Sequence, residues 1–156
     1  MSAPVYMEDY EVGTIQEFGA YEVTEEEILE FAKKYDPQFF HVDVEAAKES
    51  WFGGLIASGW HTCAMTMRML VDSMEGRAHS LGSPGVDEVR WRRPVRPGDI
   101  LSVKTEITEL RPSRSRPGFG SLHQDMTVSN HKGEVVMTFK SIAMLPRRPA
   151  EDAVAE

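Results

Sequence analysis

Residues 55–74, LIASGWHTCAMTMRMLVDSM, decide the fold. Trp60, Cys63, Ala64, Met65, Met67, Met69, Leu70, Val71 and Met74 cover nearly every side of a helical wheel, and a helix that is apolar all round is a buried one. Thr62, Thr66, Arg68 and Asp72 interrupt the stretch, which falls short of the ~20 apolar residues a membrane-spanning helix needs. Phe52-Gly53-Gly54 ahead of it reads as a flexible or closely packed loop. Downstream the period changes. Val89 and Trp91 alternate with Glu88, Arg90 and Arg92, and Leu101, Val103, Thr105 and Ile107 alternate with Ser102, Lys104 and Glu106. Leu122, Met126 and Val128 form a third run, and Val135, Met137 and Phe139 begin a fourth that ends near Leu145. Period two predicts strands with one buried face. Pro94, Pro97 and Gly98-Asp99 punctuate the first link, and Asn130-His131-Lys132-Gly133 reads as the last hairpin turn.

Upstream, Thr24 with Glu27 three residues on predicts a reciprocal capping box. Ile28, Leu29, Phe31, Ala32 and Tyr35 follow at helical spacing, and the helix stops near Tyr35 because Asp36 precedes a proline. Asp36 to His41 reads as a turn or loop, followed by a short helical piece around Val44 to Glu49. Helices first and strands after predict an α+β domain, a curved antiparallel sheet wrapped around one long central apolar helix.

A chain of 156 residues argues for one domain, here 1–145, with 146–156 as a disordered tail. It has 17 Lys plus Arg against 25 Asp plus Glu, a formal charge of −8, which argues against nucleic acid and against an anionic membrane surface as partners. One cysteine, Cys63, excludes an internal disulfide and a cysteine-ligated zinc. The first residues lack a basic start followed by an apolar run, so a cytoplasmic protein is expected. So short a chain has little room for both a core and a deep cleft, and a second subunit often completes the site in such cases.

Two segments carry candidate chemistry. Asp36-Pro37-Gln38-Phe39-Phe40-His41 sets a carboxylate and an imidazole five residues apart on a constrained loop, a pair able to activate one water and return its proton. Ser58-Gly59 stands at the start of the apolar helix, where free N–H groups and the helix dipole suit an oxyanion. The same residues also read as a turn-capping Asp36, a satisfied loop histidine and a Ser58 helix cap. Ile56 occupies the first glycine position of a Gly-x-Ser-x-Gly elbow, so a serine hydrolase is poorly supported. His41-Val42-Asp43 has no second ligand cluster, and no metal is expected. Cys63 reads as structural and the methionines as core or the lining of an apolar tunnel. Arg111, Arg114 and Arg116 form a basic loop whose commoner meaning is a solvated hairpin end.

Taken together, these segments resemble the MaoC-like dehydratases, the family of (R)-specific enoyl-CoA hydratases with the hot-dog fold. Asp36 and His41 match the spacing of the family stretch Asp-x-Asn-Pro-x-His, with Gln38 and Phe39 where the family has Asn and Pro. Residues 41–47, 52–62 and 90–99 look like its loop, helix start and strand-turn, and the resemblance covers roughly residues 8 to 145. It implies hydration of a trans-2-enoyl thioester, with Asp36, His41 and Gly59 as catalytic residues. It also implies substrate-binding roles for Gln38, Phe39, Gly54, Ser58, Trp60 and Trp91. Coenzyme A or an acyl carrier protein would carry the substrate, with no resident cofactor, and the protein would be a homodimer or a higher homo-oligomer. A hot-dog acyl-CoA thioesterase and a non-catalytic thioester-binding subunit are the alternative expectations.

Overall fold

Five strands make one antiparallel sheet in a computed structural model that describes residues 5–75 and 80–150. They are β1 (Ile15–Glu22), β2 (Val86–Trp91), β3 (Ile100–Pro112), β4 (Phe119–Ser129) and β5 (Val135–Pro146), in the order β1-β3-β4-β5-β2. Helices α1 (Glu25–Tyr35), α2 (Phe39–Val42), α3 (Val44–Lys48) and α4 (Gly59–Ser73) lie between β1 and β2. All four alternating runs are strands. Along β3, Leu101, Val103, Thr105 and Ile107 are buried while the residues between them are exposed. The Asn130–Gly133 turn forms as read, with the Gly133 N–H donating to the Asn130 carbonyl at 3.0 Å.

The sheet's inner face holds Val103, Met126, Val128 and Met137 against Met65 and Met69 of α4. Burying one such side chain contributes about 1.5–3 kcal/mol. This is the wrapped-helix α+β architecture expected.

Three expectations need correction. First, a strand precedes the helices. Its apolar residues Ile15, Phe18 and Tyr21 recur every third position, because the pairing with β3 shifts register between Phe18 and Tyr21. Such a bulge breaks the period-two signal. Gly19 sits there at φ +90°, and a Cβ on it would lie 2.4 Å from Met69 Sδ of α4. Second, α4 buries one face: His61, Thr62, Met65, Thr66 and Met69. Trp60, Met67 and Val71 are more than half exposed, because the sheet covers only one side of the helix. Third, the chain does not come loose at Pro146. The Arg147 N–H donates to the Gly118 carbonyl, its guanidinium pairs with Glu8, and Arg148 meets Glu8 and Asp9. Residues 151–156 of the expected tail lie outside the described residues. No described helix is long and apolar enough to cross a membrane.

Candidate active site

α1 begins at Thr24, whose hydroxyl accepts the Glu27 N–H at 3.2 Å. It carries Glu25–Glu27 in its first turn and Lys33 and Lys34 in its last, charges that suit the helix dipole. It ends at Asp36, whose backbone (φ −150°, ψ 70°) has left the helical region ahead of Pro37. The next residues are not the loop expected: Phe39–Val42 closes into one helical turn, with the His41 N–H donating to the Gln38 carbonyl at 2.9 Å. That turn brings His41 Nε2 to 3.4 Å from Asp36 Oδ2.

Ser58 joins them from 22 residues away. Its hydroxyl donates to Asp36 Oδ2 at 2.7 Å and accepts the Trp60 N–H at 3.3 Å. Cap and site residue are therefore one side chain, and Ser58 is fully buried. The ring of His41 is fixed by the Ile56 carbonyl, 2.7 Å from Nδ1. A carbonyl only accepts, so Nδ1 carries a proton, and with the ring in its neutral form Nε2 presents its lone pair toward Asp36. The 3.4 Å gap is longer than a normal direct bond and leaves both atoms within reach of one water placed beside them.

Burial pulls the Asp36 carboxyl upward. The Gln38 amide at 2.8 Å, the Ser58 hydroxyl and the positive charge of a protonated His41 ring outweigh it and hold the group below its ordinary value. A folded value below the unfolded one means that ionised Asp36 stabilises the fold above the ordinary carboxylate range. That contribution is lost as the pH falls through the lowered value. The melting-temperature gap between wild type and Asp36→Asn, measured from pH 7 to pH 3, is therefore expected to close toward the acid end. A gap that stays constant with pH would contradict this.

Gly59 opens α4, and its N–H donates to no described residue. A Cβ here would lie 2.3 Å from the Trp91 ring, whose Nε1 donates to the Gly59 carbonyl at 3.0 Å. Glycine is required because Trp91 backs directly onto the first turn of α4. Trp60 meets Trp91 edge-on at 5.3 Å on the exposed side.

The structure thus brings Asp36, Gln38, His41 and Ser58 together, with Gly59 and Trp91 adjoining. Phe39 is half exposed, and it is Phe40 that sits edge-on to His41, at 4.5 Å. Gly54 neighbours Arg96, which donates to the Phe52 carbonyl at 2.6 Å and latches that loop. Asp43 caps α3 through the Ala46 N–H, and Arg111 is paired with Glu109.

A second polar cluster beside the site escaped sequence reading. Glu27 accepts from Tyr21 at 2.5 Å and faces His61 Nε2 at 3.1 Å, so it does not complete the capping box. His61 stacks on Phe31 at 4.7 Å. Burial and then Glu27 push the Tyr21 hydroxyl up to about 12. These partners stand 6 and 34 residues apart, and no local pattern links them. A cavity of about 700 Å³ lies between α4 and the sheet, lined by Cys63, Leu70, Val89, Leu122 and Phe139 among others. Cys63, at its near end, is one helical turn, ~6 Å, past Gly59.

A central helix wrapped by a five-stranded antiparallel sheet, with a carboxylate and an imidazole beside its N-terminus, places the molecule among the hot-dog-fold proteins. The model of the MaoC like domain matches residues 10–130, and the chain belongs to that dehydratase family. A MaoC-like dehydratase from Rhodospirillum rubrum is 39% identical, with a TM-score of 0.82 over 93% of this chain and 99% of that one. A 3-hydroxybutyryl-CoA dehydratase of Methylorubrum extorquens is 30% identical over 97% of this chain and 90% of its own. The R-hydratase PhaJ1 of Pseudomonas aeruginosa shares the fold at 24% identity and a TM-score of 0.72, over 93% of this chain and 88% of that one.

Proposed function

We propose that the protein adds water reversibly to a trans-2-enoyl thioester, giving the (R)-3-hydroxyacyl thioester. The observation that carries this reading is the convergence of Asp36, His41 and Ser58 beside the uncommitted N–H of Gly59. The thioester oxygen accepts from that N–H, and a water rests between Asp36 Oδ2 and His41 Nε2. Nε2 takes a proton as the water oxygen bonds to C3. The C2=C3 electrons move toward the thioester oxygen, where the Gly59 N–H and the helix dipole stabilise the enolate. The enolate then takes the proton from Nε2 at C2. Hydroxyl ends on C3, hydrogen on C2, and His41 is neutral again. Asp36 stays ionised throughout and stabilises the imidazolium. Imidazole is the better base of the two residue types at neutral pH, and Asp36 already accepts two hydrogen bonds. The (R) configuration is carried over from the family. The named activity of the Methylorubrum relative supports a coenzyme A thioester as substrate.

The test is loss of enoyl-thioester absorbance from crotonyl-CoA. Thiol release from a saturated acyl-CoA without hydration would instead assign a thioesterase, and acyl-CoA binding without either reaction a non-catalytic subunit.

The working form is a homodimer. Trp60, Ala64, Met67 and Val71 form an exposed stripe on α4 at helical spacing. Edge strand β2 adds Val86 and Trp91, both about half exposed. A second copy seated there covers the stripe and closes the open flank of the cavity. Sedimentation is expected to give twice the chain mass of 17.6 kDa, and Met67→Glu to shift it toward one chain.

A further inference from the structure

The cavity between α4 and the sheet is not a plain hydrocarbon slot. Leu122, Gln124, Met126 and Val128 share the inward face of β4 by alternation. Leu122, Met126 and Val128 are buried core residues, and the position between them is an amide. Gln124 lies opposite Ser141 of β5, and one row on, Thr105 of β3 lies opposite Gln16 of β1. Thr66 of α4 lines the same cavity, and its hydroxyl donates to the Thr62 carbonyl, leaving its oxygen as an acceptor. The side chains of Gln124 and Thr105 make no hydrogen bond to any described residue. A polar belt therefore crosses a cavity whose walls on either side include Leu70, Val89, Leu122 and Phe139.

An alkyl chain lying on that belt would take water from the amide and hydroxyl and return nothing. A chain with a carboxylate at that depth fares no better, because the belt residues Gln16, Thr66, Thr105, Gln124 and Ser141 are amides and hydroxyls with no cation among them. An uncharged group that accepts or donates satisfies the belt, since an amide does both. Depth follows from the helix. Thr66 is seven residues past Gly59, ~10 Å at the α-helical rise. That is roughly eight carbons of an extended zigzag chain.

Building on the hydratase reading, we infer that the acyl group accepted here carries an uncharged hydroxyl or keto substituent about eight to ten carbons from the thioester, held by Gln124 and its neighbours. The probes are trans-2-decenoyl-CoA and its 10-hydroxy and 9-oxo derivatives, with crotonyl-CoA as a chain too short to reach the belt. The oxygenated substrates are expected to show kcat/KM about tenfold or more above the plain one. Gln124→Leu is expected to abolish or reverse that order while leaving kcat on crotonyl-CoA unchanged, which also reports that the variant folds. Equal kcat/KM for all three decenoyl substrates, or a ratio that Gln124→Leu does not move, overturns the inference and makes the belt a wet surface. Calorimetry with saturated decanoyl-CoA and 10-hydroxydecanoyl-CoA reads the cavity without turnover. Failure to hydrate crotonyl-CoA and all three decenoyl substrates rejects the hydratase reading, and equal affinities in the calorimeter reject the belt.

Discussion

His41→Ala lowers kcat for crotonyl-CoA hydration by at least ~10²-fold with little change in KM, the loss expected when a general acid–base group is removed. Both proton transfers of the proposed reaction pass through Nε2. Asp36 accepts from Gln38 and Ser58 and is held below its ordinary carboxylate value, so it is a weak substitute. Asp36→Asn is expected to cost a similar factor, because it removes the charge that stabilises the imidazolium and one of the two atoms that hold the water. The pair acts on one water, so the effects do not multiply: the double variant is expected to fall within about threefold of the slower single one. Multiplying losses would make the two residues independent, and a wild-type rate in both single variants would remove them from the chemistry. His41→Ala also leaves the Ile56 carbonyl without its donor, a cost of roughly 1–3 kcal/mol if no water replaces it. Circular dichroism and the unfolding midpoint separate that loss from the catalytic one.

How much of this was legible without coordinates depended on whether the signal was local. The Asp36–His41 pair was, because five residues and a proline keep the two groups near each other whatever the rest of the chain does. β3 was legible because its buried and exposed sides alternate from Ile100 to Ile107, and β4 and β5 because apolar residues recur at every second position over part of each strand. β1 was not, since the register shift near Gly19 converts period two into period three. Composition marked α4 as apolar on all sides, but which side the sheet covers is a tertiary fact, and Trp60, Met67 and Val71 face outward. The link from Ser58 to Asp36 spans 22 residues and the one from His61 to Glu27 spans 34, and neither leaves a pattern in a window of the sequence. In each case the residue type was visible and its partner was not.

Gly59→Ala sets local propensity against tertiary packing. On propensity alone, alanine in place of glycine in a helix favours folding by about 1 kcal/mol. The added methyl, however, would stand 2.3 Å from Trp91 Cε2 and 2.6 Å from Trp91 Nε1, distances at which something must move. If the indole moves, it gives up its bond to the Gly59 carbonyl. If α4 moves, Ser58 and the N–H of residue 59 shift with it, away from Asp36 and the thioester oxygen. Overpacking of this kind costs about 1–3 kcal/mol, so the net change is destabilising in spite of the better helix former. Misplacing an oxyanion donor costs ~10²–10³ in rate, so kcat is expected to fall by that factor. The rescue is specific: Trp91→Ala removes the obstruction, so Gly59→Ala with Trp91→Ala is expected to be at least tenfold more active than Gly59→Ala alone, and more stable. Full activity in the Gly59→Ala single variant would mean that the N–H at the head of α4 does not hold the developing oxyanion. A double variant no better than the single would mean that glycine is needed there for close approach of the substrate itself rather than of Trp91.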